Sequence, residues 1–88
     1  GALGVISVVS NVEPERTRAM VWAALDGDFD TAADLQLRLY PLIEALFLEV
    51  NPAPVKAAME FIGYDCGDCR LPVGKVSEAA RARLQTLL

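Results

Sequence analysis

Two cysteines separated by two residues, Cys66 and Cys69, form the clearest chemical motif of the sequence. A C-x-x-C pair supports redox chemistry in a thioredoxin-like setting, and it binds zinc when further ligands complete a tetrahedral site. Here the pair falls in a predicted loop between two helices, and the chain has neither a third cysteine nor a histidine. Three interpretations stay open: an incidental pair, a disulfide, or a metal site shared between chains. No metal site within one chain is predicted.

Acidic residues are the other candidates for chemistry. Asp26, Asp28 and Asp30 surround Gly27, but the twelve-residue spacing and the terminal Glu of a calcium loop are absent, so we interpret them as charges at a helix start. The absence of histidine excludes a Ser-His-Asp triad within this chain. The net charge of −4, with no cluster of Lys or Arg, argues against nucleic-acid binding.

The elements that would position these residues are one strand followed by about four helices. The β-branched run Val5–Val9 predicts a buried parallel strand. We expect helices from Pro14 to the stop at Gly27, from Phe29 to Phe47, through Val55 to Ile62, and after the N-cap Ser77.

Two prolines bear on this assignment. Pro41 should bend the second helix without breaking it, because the apolar stripe crosses it in phase; a split into two helices is the alternative. Asn51 and Pro52 predict a turn before the third helix, fixed by the Asn side chain.

The amount of apolar sequence exceeds what such a small domain buries. Hydrophobic residues make up 53% of the chain. A domain of this size leaves about 40% of the surface of its unfolded chain exposed, so it is too small to bury that many apolar side chains. Apolar runs are far shorter than the roughly 18 residues of a membrane span, so no membrane segment is predicted. A lone strand also leaves its backbone hydrogen bonds unsatisfied. We therefore expect an incomplete α/β domain that belongs against further protein, and the start at Gly1 favours a segment of a longer chain.

Three stretches resemble the dihydrodipicolinate synthase family. Gly1–Val12 is similar to its last barrel strand and following loop, Leu46–Ala58 to its C-terminal signature around Asn-Pro-x-Pro-Val-Lys, and Arg70-Leu71-Pro72 to a tripeptide ahead of its last helix. The resemblance covers essentially all 88 residues in order, and the Asn-Pro-x-Pro-Val-Lys motif is its specific part. It implies a parent TIM (β/α)8 barrel, with residues 1–27 as its last strand and helix and residues 28–88 as a C-terminal helical extension.

The resemblance also implies an activity. The parent enzyme would be a lyase that condenses pyruvate with aspartate semialdehyde in lysine biosynthesis, through a Schiff base on a lysine and without a cofactor. It would be a cytoplasmic homo-oligomer, with the tetramer as the expected form. Neither lysine of this chain, Lys56 or Lys75, matches that Schiff-base position, so the chain alone should be inactive. We also expect the isolated chain to be at least dimeric, because the strand Val5–Val9 would have unpaired edges and the apolar faces of the helices would be exposed. Ile6 is the one site residue that carries over: its backbone carbonyl would line the pyruvate site. The alternatives are a non-catalytic helical interaction module and part of a sibling pyruvate-dependent aldolase.

Overall fold

The computed structural model describes all 88 residues as four α-helices that follow one 3-10 turn. The four predicted helices are confirmed. The 3-10 turn spans Val9–Asn11, and the helices are α1 (Pro14–Leu25), α2 (Phe29–Leu46), α3 (Ala53–Phe61) and α4 (Glu78–Leu87).

Local signals in the sequence set the helix ends. The Asp28 side chain accepts a hydrogen bond from the Thr31 N–H at 3.2 Å, and the Ser77 hydroxyl accepts one from the Ala80 N–H at 3.2 Å. Each bond satisfies one of the backbone donors that a helix start leaves free. Between α1 and α2 the chain turns at Gly27, whose φ of 80° lies in the left-handed region that favours glycine. Asp28 is thus a helix cap, which agrees with the interpretation of the acidic cluster as charges at a helix start.

The second helix runs without interruption through Pro41. Proline has no N–H to donate to the preceding turn, so one helical hydrogen bond is lost there. The apolar stripe nevertheless keeps one phase across it, and Leu39, Leu42 and Leu46 are all buried. The prediction of one continuous helix is confirmed.

The core lies where α2, α3 and α4 meet the 3-10 turn. Leu46, Ala58 and Leu84 have no exposed surface, and Val9 and Val12 fill the side next to the N-terminal segment. Only 14 of the 88 residues are buried, while large apolar side chains such as Phe29 and Leu37 stay exposed. This confirms that the chain carries more apolar surface than it covers by itself.

The predicted strand Val5–Val9 is wrong for this chain. Residues 1–7 have no helix or strand, and Val9 opens the 3-10 turn instead. A strand is stabilised by the ladder it shares with a neighbour, and the chain contains no second strand. Without a ladder, Val9 is stabilised by burial in the helical core instead.

The turn before α3 forms, but not in the predicted way. The Asn51 side chain makes no hydrogen bond; the turn is closed by the Ala53 N–H, which donates to the Val50 carbonyl at 3.1 Å. Pro52 is the N-cap of α3 and offers no side-chain acceptor, so the backbone alone closes the turn.

Candidate functional site

The N-terminal segment, residues 1–7, carries the predicted site residue Ile6. Its side chain is fully exposed, and no backbone group of Gly1–Ile6 takes part in a hydrogen bond within the chain. Hydrogen bonding within the chain begins one residue later. The Ser10 N–H donates to Ser7 Oγ at 3.0 Å, and Ser10 Oγ donates to the Ser7 carbonyl at 3.4 Å. The Ile6 carbonyl therefore lies free beside an anchored polar turn.

This turn is held against α1 by both backbone and side-chain groups. The Val9 carbonyl accepts hydrogen bonds from the N–H groups of Val12 and Glu13, at 3.0 and 2.9 Å. Thr17, a buried residue of α1, donates its hydroxyl to the Glu13 carbonyl at 2.7 Å. The start of α1 is thus a fixed base from which the N-terminal segment extends.

Two cavities flank the N-terminal segment. One of about 400 Å³ has a mixed wall, with Ser7, Ser10 and Arg18 as polar residues and Val21 and Trp22 as apolar ones. An apolar one of about 370 Å³ lies between the segment and the facing sides of α1 and α2, with Phe29 in its wall. Neither contains a lysine, and the chain has no histidine to activate a hydroxyl. This region offers backbone carbonyls, hydroxyls and one guanidinium, but no activated nucleophile.

The two lysines border a third cleft, Lys56 from α3 and Lys75 from the loop between α3 and α4. Lys56 Nζ donates to the carbonyls of Cys66 and Asp68, at 3.3 and 3.4 Å. Lys75 Nζ is 3.7 Å from an Asp68 carboxylate oxygen. Lys56 therefore holds the loop against α3, whereas Lys75 forms an ion pair within the loop.

Helix α4 is attached through two polar contacts. Glu49 accepts hydrogen bonds from the Ser77 N–H, at 2.9 Å, and from the Ser77 hydroxyl. The hydroxyl and then the N–H of Ser77 stabilise the carboxylate and hold the pKa of Glu49 below its ordinary value of 4.5. Ser77 in turn caps α4, so the Glu49 carboxylate connects the segment between α2 and α3 to the start of α4.

The second contact is a bidentate ion pair between α4 and α3. The Arg81 guanidinium donates to both carboxylate oxygens of Glu60, at 3.1 and 3.2 Å, and its carbon lies 4.7 Å from the centre of the Phe61 ring. Glu60 raises the pKa of Arg81 above its ordinary value, mainly through these hydrogen bonds and to a lesser extent through its negative charge. A fork-to-fork pair of this kind fixes orientation as well as distance.

No set of three or more His, Cys, Asp or Glu side chains is placed to hold a metal ion. Cys66 and Cys69 both carry free thiols, the first exposed and the second half-buried. None of the four helices combines the length and the apolar composition that a membrane crossing needs.

Residues 1–88 match the sequence model of the Dihydrodipicolinate synthetase family. The chain belongs to this family. The 4-hydroxy-tetrahydrodipicolinate synthase of Methanosarcina acetivorans is 48% identical over all 88 residues, which cover 30% of that protein. Its counterpart in Methanosarcina mazei is 50% identical over 84 residues, 96% of this chain and 29% of that one.

Solved structures agree with the sequence comparison. The dihydrodipicolinate synthase of Aquifex aeolicus superposes with a TM-score of 0.94 at 39% identity, over 99% of this chain and 30% of that one. The enzyme of Thermotoga maritima gives a TM-score of 0.91 at 38% identity, over 96% and 28%. The chain therefore spans about 30% of the length of the relatives it matches, and the expected membership in a TIM-barrel enzyme family is confirmed.

The motif that indicated the dihydrodipicolinate synthase family has an architectural role in this structure. Ala53, Pro54 and Val55 are buried at the start of α3, and Lys56 holds the following loop. No pattern in the sequence predicts this contact of Lys56, or the contact of Glu49 with Ser77. The sequence predicts Ser77 as the N-cap of α4, but its second partner, Glu49, is 28 residues away and no local spacing indicates it.

Proposed function

We propose that this chain provides the last strand and helix of the barrel, residues 1–27, and the helical extension, residues 28–88, of a 4-hydroxy-tetrahydrodipicolinate synthase. The observation that carries this proposal is the family match over residues 1–88, together with relatives of that name at 48 and 50% identity. In this proposal the N-terminal segment becomes a strand once neighbouring strands supply its ladder. The exposed apolar side chains on α1 and α2 support a larger body of protein around them.

The chemistry proposed for the whole enzyme is the condensation of pyruvate with aspartate semialdehyde in lysine biosynthesis, with no cofactor. A lysine amine adds to the keto group of pyruvate and water leaves, which gives the Schiff base that then reacts with the aldehyde. The part played by this chain is the Ile6 carbonyl, which lines the pyruvate site. Two features support it: the carbonyl has no partner within the chain, and the turn anchored at Ser7 and Ser10 begins at the next residue.

The lysine that forms the Schiff base lies outside these 88 residues in this proposal. Lys56 and Lys75 are engaged with the loop between α3 and α4, away from the N-terminal segment. We expect the purified chain to give no covalent adduct when it is incubated with pyruvate and borohydride and its intact mass is measured. A stoichiometric adduct on either lysine would overturn this assignment.

A hybrid enzyme tests the function directly. The aligned 30% of the Methanosarcina acetivorans enzyme is replaced by these 88 residues, and synthase activity is assayed with pyruvate and aspartate semialdehyde. We expect an active hybrid, since the two sequences are 48% identical there. An inactive hybrid that has the same circular dichroism spectrum and thermal stability as the parent would refute the proposed function.

The same hybrid tests Ile6. Ile6→Val keeps the carbonyl and a β-branched strand residue, so the Michaelis constant for pyruvate should stay within about twofold. Ile6→Gly keeps the carbonyl but frees the backbone, and should raise that constant severalfold while the hybrid stays folded. Equal constants in the two variants would show that the backbone at Ile6 does not position pyruvate.

We also propose that the whole enzyme is a cytoplasmic homo-oligomer, a tetramer in its full form, and that the 88-residue chain by itself is at least dimeric. Fully exposed Leu3 and Ile6, with Trp22 and Phe29 more than half exposed, support association. One solved relative is a monomeric variant of dihydrodipicolinate synthase, so oligomeric state varies among these proteins.

A further inference from the structure

The loop between α3 and α4 places two thiols on the wall of one cleft. The cleft has a volume of about 260 Å³, and both Cys66 and Cys69 line it. The Cys66 side chain is exposed and Cys69 is half-buried, and neither is in a disulfide. The Cys66 thiol donates a weak hydrogen bond to the Tyr64 carbonyl at 3.6 Å. Both cysteines therefore border the same cleft, and neither residue is fully buried.

The backbone between the thiols is already curved. The Gly67 N–H donates to an Asp65 carboxylate oxygen at 2.9 Å, and the φ of Gly67 is 70°, in the region that favours glycine. The carbonyls of Cys66 and Asp68 converge on the single ammonium group of Lys56. The chain thus bends round Lys56, which keeps the two cysteines on one short, fastened turn.

The loop can change shape without disturbing the core. Residues 64–70 belong to no helix, and the Cys66 and Cys69 backbone groups take part in no helical hydrogen bond. The most deeply buried residues of α3 and α4, Ala58 and Leu84, do not line the cleft. A bond between the two sulfurs would therefore alter only an exposed turn.

We propose that Cys66 and Cys69 form a redox-active dithiol that closes to a disulfide within the loop when it reacts with a small-molecule disulfide such as oxidised glutathione. One thiolate attacks the oxidant, forms a mixed disulfide and releases one reduced thiol. The second thiolate then attacks the protein sulfur of that bond and releases the other reduced thiol. Two protein thiols are oxidised, one disulfide of the reagent is reduced to two thiols, and the two protons pass to the released thiolates. This inference is independent of the catalytic function proposed above.

Intact-mass measurement after incubation of the protein with oxidised glutathione tests the dithiol. The expected product has lost two hydrogens, about 2 Da, retains no glutathione, and runs as a single chain on a non-reducing gel. Reductant should restore the original mass. The circular dichroism spectrum should be unchanged, because only the exposed turn moves.

Cys66→Ser and Cys69→Ser are the matched controls. Each variant lacks the resolving thiol, so each should retain one glutathione as a stable mixed disulfide. Two glutathiones retained by the unaltered protein would show that the thiols react independently, and the proposal would fail. Unreactive thiols, or disulfides only between chains, would equally overturn it.

Discussion

Leu84 attaches α4 to the core, and its truncation gives the sharpest test of the packing. It is the one residue of α4 with no exposed surface, and it belongs to the same apolar cluster as Leu39, Leu42 and Leu46 of α2. Leu84→Ala removes the equivalent of about three methylene groups, at about 0.8 kcal/mol each, and leaves a cavity that adds to the loss. We expect the free energy of unfolding to fall by about 3 kcal/mol.

That loss is large for this chain. Small domains have about 0.05 to 0.15 kcal/mol of stability per residue, and a molecule with 14 of 88 residues buried belongs at the lower end of that range. Urea unfolding followed by circular dichroism measures the change. With a slope of about 1 kcal/mol per molar urea, the midpoint should move down by about 3 M.

Leu37→Ala is the matched control, because it makes the same chemical change on α2 at a side chain that is 73% exposed. We expect it to change the free energy of unfolding by less than about 0.5 kcal/mol. A loss below about 1 kcal/mol for Leu84→Ala, or equal losses for the two variants, would refute the assignment of Leu84 to the core.

Two further predictions concern pH and association. Because Ser77 lowers the pKa of Glu49 in the folded state, this contact stabilises the fold above the ordinary value of 4.5, and the stabilisation is lost as pH falls through the lower folded pKa. Thermal unfolding of Glu49→Gln should therefore show a smaller loss of stability below pH 4.5 than thermal unfolding of the unaltered protein. Glu44→Gln is the control, because it alters a carboxylate that has no hydrogen-bond partner, and it should lose as much stability as the unaltered protein. If Glu49→Gln kept the full loss, the Ser77 contact would not be its source. Sedimentation equilibrium at micromolar concentration should show a dimer or larger species, and a monomer of 9.5 kDa would contradict the proposed association.

The sequence alone determined the helices and the family. The helix starts at Asp28 and Ser77 can be predicted because the side chains of these residues cap the local backbone. The constant phase of the apolar stripe predicts that α2 continues through Pro41. These features depend on neighbours within a few residues, so a linear reading finds them. The Asn-Pro-x-Pro-Val-Lys motif, which indicates the dihydrodipicolinate synthase family, is also local, because its buried residues and Lys56 lie in one short stretch of sequence.

Only the tertiary structure decided the rest. The run Val5–Val9 has the composition of a strand, yet strand formation needs a partner, and in this chain Val9 is buried among helices instead. Lys56 holds carbonyls that are 10 and 12 residues away, Arg81 pairs with Glu60 across 21 residues, and Glu49 reaches Ser77 across 28. Partners at such separations meet only because packing of the apolar faces brings α2, α3 and α4 together, and that packing is a property of the whole chain rather than of any local pattern.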